Sequence, residues 1–293
     1  MAKRRPPTVH GLAVVDKPAG VTSHDVVNQL RRRFGERRIG HAGTLDPDAT
    51  GVLLVGVGTV TRLLRFLTEL GKTYTGEVVL GRETSTLDAA GETTATHDMA
   101  GVTIDDARRV VVEHLTGDIL QIPPMVSAVR VDGRRLHELA REGIEIERAP
   151  RPVTISHFTV DPTDDPLVLQ IEVTCSSGTY VRTLAADLGR LLGGGAHLRR
   201  LRRTASGSFT VAEAAPPETC ELLPPSAALR DRTQVVVDDA MAASVRHGRV
   251  LPAFAGSPPW ALHDQHGQLL ALYDAFRSSE AKPAVVLSGG PEG

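Results

Sequence analysis

The chain has 293 residues, 41% hydrophobic and 23% charged, with a formal net charge of −2. That is the balance of an ordinary soluble protein, long enough for one large domain or a large one plus a small one. No apolar run approaches the roughly 20 residues of a membrane span, and MAKRRPPTVHG lacks the apolar segment of a signal peptide, so a cytoplasmic protein without membrane attachment is expected.

In chain order, GLAVVDKPAG reads as a short strand ending in a Pro-Gly turn. Thr22 or Ser23 then caps a helix whose apolar stripe is Val26, Val27, Leu30 and Phe34. The Gly-rich stretch GHAGTLDPDATG (40–51) follows as a loop, then VLLVGVG as a buried strand and TVTRLLRFLTEL as an amphipathic helix. KTYTGEVVLG alternates as a strand does, with Tyr74, Val78 and Leu80 on one face. TIDDARRVVVEHLTG predicts a helix stopped by glycine. IPPMVSAVRVDGRRLHELAREG predicts a proline-opened excursion of strand, Asp-Gly turn and short helix. Two further strands, VTISHFTV and LVLQIEVTC, lead through SSGT into the helix YVRTLAADLGRLLG. Beyond Phe209 a Pro- and Ala-rich connector precedes a short helix (DDAMAASVRHG), brief strands around WALHD and LLALYDAF, and a tail, SGGPEG, expected to fray.

Several familiar chemical motifs fail on inspection. DPDAT fits the D-x-D-x-T pattern of phosphatases that form an aspartyl-phosphate, but here the apolar strand follows the motif instead of leading into it. GKT at 71–73 lacks the first glycine of a P-loop, which would fall on Phe66, and GVGTVT lacks the third glycine of a dinucleotide fingerprint. His263 and His266 sit in a predicted hairpin turn, and Cys175 and Cys220 have no metal-ligand spacing and suit a reducing compartment. No metal and no cofactor is expected.

What remains is Asp46. Glycines flank its loop, and Pro47 restricts Asp46 to extended conformations, so the carboxylate is held ready to act as nucleophile or base. The competing reading is an Asx-type turn in which that carboxylate bonds local backbone N–H groups. Arg182 falls in the first turn of its helix, where the dipole disfavours a cation, which points to a facing anion, either a carboxylate or an RNA phosphate. Arginines cluster in QLRRRFGERR (29–38) and HLRRLRR (197–203), as a surface that binds an RNA backbone would require.

Six blocks in order, VDKPAGVTSHDVV, GHAGTLDPDATGVLLVGVGTVTRL, KTYTGEVVLGRETSTLDAAG, IPPMVSAVRVDGRRLHELAREG, CSSGTYVRTLAADLGRLLGGGAH and LRRLRRTASGSF, resemble the bacterial tRNA pseudouridine synthases of the TruB type. The resemblance implies isomerisation of the T-loop uridine at tRNA position 55, with the T-arm stem-loop as partner and no cofactor. It implies that Asp46 is the catalytic aspartate, Arg182 its paired arginine, and Tyr74 the tyrosine stacked near the base and the candidate proton acceptor at C5. Tyr180 and Leu198 would line the uracil pocket, and His41 would take the place of the flipped bases in the RNA stack. Lys17, grouped with the substrate-binding residues, and Pro18 belong to a motif whose implied role is mainly structural.

The implied fold is α+β: a mixed, largely antiparallel sheet flanked by helices, with a small C-terminal β-rich PUA-like domain. Residues 9–215 would form the catalytic domain, with 121–143 an insertion closing on the RNA, 216–232 the connector and 233–290 the RNA-binding module. A monomer is expected. The alternatives are an RNA-binding or tRNA-folding protein on the same scaffold without the chemistry, and the aspartyl-phosphate phosphatase.

Overall fold

The computed structural model describes residues 6–127, 130, 131 and 133–287. The SGGPEG tail and Asp132 of the expected Asp-Gly turn lie outside them. The chain opens with β1 (Gly11–Lys17), α1 (Ser23–Phe34), β2 (Ile39–Ala42) and β3 (Thr50–Val57). Thr22 is the cap of α1: its hydroxyl accepts from the Asp25 N–H while the Asp25 carboxylate accepts from the Thr22 N–H. Val26, Val27 and Leu30 are buried as the stripe predicts, and Phe34 packs at the margin of the same core.

The structure differs from the sequence reading at the next two elements. Gly40, His41 and Ala42 are not loop but part of β2, paired to β3 from Ile39↔Val57 to Ala42↔Leu54. That pairing is a cross-strand contact no local pattern reveals, and it shortens the loop to 43–49. The single helix expected over 59–70 is instead a 3-10 turn (Gly58–Leu63) followed by a short α2 (Leu64–Thr68). Thr59, Val60 and Thr61 are β-branched and poor helix formers, and the threefold turn brings Val60 and Leu63 together against the core.

Then come β4 (Lys72–Leu80), the hairpin β5 (Arg82–Thr84) and β6 (Thr93–Thr96), α3 (Ile104–His114) and β7 (Gly117–Gln121). The excursion carries β8 (Arg130–Val131), β9 (Arg134–Arg135) and α4 (Leu136–Arg141), in the predicted order. After it lie β10 (Arg151–Pro162), β11 (Val168–Cys175), α5 (Val181–Leu191), β12 (Ala196–Ser206), β13 (Phe209–Thr210) and β14 (Leu222–Leu223). HLRRLRR shows no apolar alternation, yet it lies in β12, an interior strand of the main sheet.

That sheet runs β14-β1-β3-β12-β4-β11-β10-β7, with β2 on β3 and β13 on β12. Among its described strand pairs only β3 and β12 run parallel, so this sheet is mixed and largely antiparallel. β1 and β3 are continuous apolar runs because both faces are covered. Ala13, Val15, Leu53 and Val55 enter the core shared with α1, α3 and α5. Leu12, Val14, Val52 and Leu54 enter a second core with Phe66 and Leu67.

The C-terminal part comprises β15 (Thr233–Val236), α6 (Asp239–Arg246), β16 (Leu251–Pro252), β17 (Trp260–His263), β18 (Leu269–Phe276) and β19 (Glu280–Val286). Its five-stranded sheet has the order β15-β17-β18-β19-β16. Ala261, Leu269, Leu272 and Val285 reach into the second core, so this unit is packed against the main sheet. The Pro- and Ala-rich 216–232 stretch is also packed: Leu222 and Leu223 pair with Ala13 and Leu12, and Ala228 and Leu229 are buried.

Gly51 permits the parallel contact between β3 and β12. At φ +101 it adopts a backbone that side chains disfavour, and a Cβ there would strike the Arg203 carbonyl group. Gly51→Ala is therefore expected to cost about 3 kcal/mol, from the left-handed backbone and from overpacking together. Chemical denaturation that leaves the midpoint at the parental value would refute this close approach.

Candidate active site

The β2–β3 loop is anchored on both sides of Asp46. On the N-terminal side the Ser23 hydroxyl accepts from the Leu45 N–H at 2.9 Å and donates to the Leu45 carbonyl at 3.1 Å. On the C-terminal side the Pro47 carbonyl accepts from Lys17 Nζ at 2.9 Å and from the Gly20 N–H at 3.0 Å. The Ala49 N–H closes the turn on the Asp46 carbonyl. Backbone and neighbouring side chains thus fix the loop, and the Asp46 carboxylate is taken up by Arg182.

Arg182 projects from the first turn of α5 and is buried. Its Nε lies 3.0 Å from Asp46 Oδ2, and its Nη2 donates to Oδ1 at 3.4 Å. The remaining donors reach Asp88 Oδ2 at 3.5 Å, the Thr86 carbonyl at 2.8 Å and the Val126 carbonyl at 3.0 Å. The facing anion that its place on the helix called for is therefore a pair of carboxylates. The Asp46 side chain keeps 43% of its surface exposed, against 5% for Arg182, so the carboxylate is held from one side and open on the other.

The open side faces a cavity of about 430 Å3, within the roughly 300–1,000 Å3 of small-molecule sites. Tyr74, Tyr180 and Arg182 line it together with Asp46. Tyr74 reaches it from the inward face of β4 and is 8% exposed. Burial pushes the Tyr74 phenol up from its ordinary range, with Arg203 beside it pulling the other way. Tyr180 is the residue before α5, and its backbone is held in both directions by the buried Gln121 side chain. Burial also raises the Asp46 pKa; Arg182 and Lys17 oppose the rise, and the Asp88 charge adds to it.

Three of the residues named from sequence stand elsewhere. Leu198 is 1% exposed and lies outside this cavity, but it lines a smaller pocket with Asp46, Asp88 and Arg182; Leu201, past the bulge in β12, lines both. Lys17 is wholly buried, its ammonium spent on the carbonyls of Pro18, Val21 and Pro47, and so cannot touch a substrate. It is a clamp for the loop. His41 is half-buried on β2 outside the cavity, its Nδ1 without a partner, and burial lowers its pKa.

Other groups of the site escaped the sequence reading. Asp88 stands in the quoted STLDAAG segment without having been assigned a role. Lys72 also lines the cavity, its amine pushed down to about 8 by burial; in sequence its GKT context resembles only a phosphate loop. The second arginine cluster is tied into the sheet by ion pairs, yet of its arginines only Arg203 is buried, and the Arg200 side chain remains 75% exposed. Arg199 pairs with Glu77, Arg202 with Asp16, and Arg203 is buried against the Val52 and Gly43 carbonyls.

Residues 31–181 match the TruB family pseudouridylate synthase N-terminal domain, and residues 182–221 match the tRNA pseudouridylate synthase B C-terminal domain. The chain belongs to the TruB family of pseudouridylate synthases. It is an isomerase. The tRNA pseudouridine synthase B of Rhodococcus jostii is 48% identical over 272 residues, covering 89% of each chain. That of an Arthrobacter species is 42% identical over 301 residues, covering 96% of this chain and 98% of its own. The crystal structure of a Cbf5-Nop10-Gar1 complex shares the fold, with a TM-score of 0.74 at 24% identity, over 95% of this chain and 85% of that one. The synthase has no helix, among the described residues, long and apolar enough to cross a membrane.

The charge balance at the site is testable without turnover. In the synthase, the Asp46 carboxyl carbon followed by NMR should titrate above the ~3.9 of a free aspartate. Asp88→Asn should move that midpoint down, since it removes a neighbouring negative charge while keeping an acceptor for Thr86 and Ala90. An unchanged or higher midpoint in the variant would separate the two carboxylates electrostatically.

Proposed function

We propose that this enzyme converts the T-loop uridine at position 55 of tRNA to pseudouridine, with Asp46 as the reacting group and no cofactor. The observation that carries the reading is the Asp46 carboxylate, oriented by Arg182 and open to a cavity walled by Tyr74 and Tyr180. The tRNA substrate is supported by relatives named tRNA pseudouridine synthase B that match most of this chain.

The reaction breaks the bond from N1 of uracil to C1′ of ribose, turns the base, joins C5 to C1′, releases the C5 proton and leaves N1 carrying a proton taken up in its place. It is redox-neutral and transfers no phosphoryl group, so side chains suffice. Asp46 serves either by adding to C6, by adding to C1′, or by taking the C2′ proton. Its raised pKa makes it a better proton acceptor than an ordinary aspartate while Arg182 retains the anion. Tyr74, kept as the neutral phenol by burial, can accept the C5 proton only by passing its own hydroxyl proton onward.

A uridine inside a folded loop must first be everted, at a cost of a few kcal/mol. Stacking on an aromatic side chain returns about 1–3 kcal/mol per base, which Tyr74 and Tyr180 are placed to supply. The position of His41 outside the cavity suits a side chain that fills the vacated stack and does not hold the base. The 121–143 excursion begins at Gln121, which holds Tyr180, and its Val126 carbonyl binds Arg182, so an RNA contact there would reach the site directly. Residues 233–290, a β-rich PUA-like unit, would add RNA contacts, and the enzyme would act as a monomer.

A T-arm stem-loop carrying tritium at C5 of its uridines tests the proposal. The parent should release label to water, and Asp46→Asn should bind the RNA with similar affinity while release drops on the order of a thousandfold or more. Binding without release by the parent would instead support an RNA-folding role, and near-parental release by the variant would remove Asp46 from the chemistry.

A further inference from the structure

Between Leu198 and Arg203, β12 gains one residue against β4. Arg199 stands opposite Glu77 and Arg202 opposite Thr75, so three steps on one strand match two on the other. Residues directly opposite share a face, so Leu198–Val78 and Arg203–Tyr74 point inward while Arg199–Glu77 points outward. Strict alternation would turn Leu201 and Arg203 to the face opposite Leu198. The extra residue reverses the parity and delivers both to the cavity.

The reversal is made at Arg200, whose φ of 53 is left-handed. Bulges of this kind ordinarily use glycine there, because a side chain disfavours that backbone. Arg200 is nonetheless held. Its Nη1 donates to Glu77 Oε1 at 3.0 Å, and Arg199 Nε donates to Glu77 Oε2, so one carboxylate grips the left-handed residue and the one before it. Glu77 itself is only 13% exposed at its side chain. Across from the bulge Gly76 has no side chain, and the Leu201 Cα passes 3.6 Å from where a Cβ would stand.

We propose that Glu77 is a positioning residue of the uridine pocket: by clamping Arg199 and Arg200 it stabilises the left-handed bulge that turns Leu201 toward Asp46 and Tyr74. The inference rests on the reading of this cavity as the place where the base reacts. Glu77 touches nothing in the cavity and acts through the backbone it restrains.

Two measurements separate this from a merely stabilising ion pair. In tritium release under single turnover at saturating T-arm RNA, Glu77→Ala should slow the step about tenfold, the order of the penalty for an unassisted left-handed residue, with RNA affinity unchanged. Arg200→Gly alone should keep the parental rate, and added to Glu77→Ala it should restore that rate, because glycine needs no clamp. In methyl NMR of the full chain, Leu201 resonances, assigned by their loss in Leu201→Val, should move in Glu77→Ala and return in the double variant. A parental rate in Glu77→Ala, or failure of Arg200→Gly to restore rate and methyl shifts, would overturn the proposal. If the parent releases no label, the reading of the reaction fails, and the methyl shifts still decide whether Glu77 sets Leu201.

Discussion

A single buried guanidinium holds this site together. Withdrawing an arginine from water costs several kcal/mol unless each donor finds an acceptor. Arg182 meets that demand with two carboxylates and two backbone carbonyls, drawn from the Asp46 loop, the segment after β5 and the base of the excursion. Those three segments are far apart in sequence, so satisfying one charge also assembles the cavity wall. Sharing the cation between Asp46 and Asp88 leaves Asp46 less than fully neutralised. Burial and the second carboxylate then raise its affinity for a proton.

The sheet supplies the rigidity behind this arrangement. With β1 and β3 covered on both faces, neither β3, which follows the Asp46 loop, nor β1 beside it can shift register without exposing one core or the other. Lys17, at the end of β1, ties the loop to that framework through the Pro47 carbonyl. Gly51 lets β3 approach the backbone of β12, and the Arg203 guanidinium crosses beneath the loop to the Gly43 carbonyl. The bulge in β12 brings Leu201 to the same wall. Each device acts on the backbone, and none reacts itself.

Much of the architecture was legible in the chain because its signals are local. Thr22 and Thr103 each have an aspartate three residues on, and both capping boxes form. The alternation of β4 placed Tyr74 inward with Val78 and Leu80. The dipole argument for an anion at Arg182 needed only its place in a helix, and the structure brings Asp46 to it. Elements that depend on distant partners were less legible. β2 was hidden because its glycines read as loop, and β12 because its arginines gave no apolar rhythm, although Glu77, Asp16 and two backbone carbonyls neutralise or satisfy them.

The sequence by itself determined the elements with local caps and periodicity and, through its ordered blocks, the family. Tertiary structure decided which leucine meets the cavity, which lysine is a clamp, and that Asp88 joins Asp46 on one guanidinium. The reason is physical. Local preferences are set by neighbours along the chain, whereas the facing of a side chain past a bulge and the partner of a buried charge depend on strands that meet only after folding.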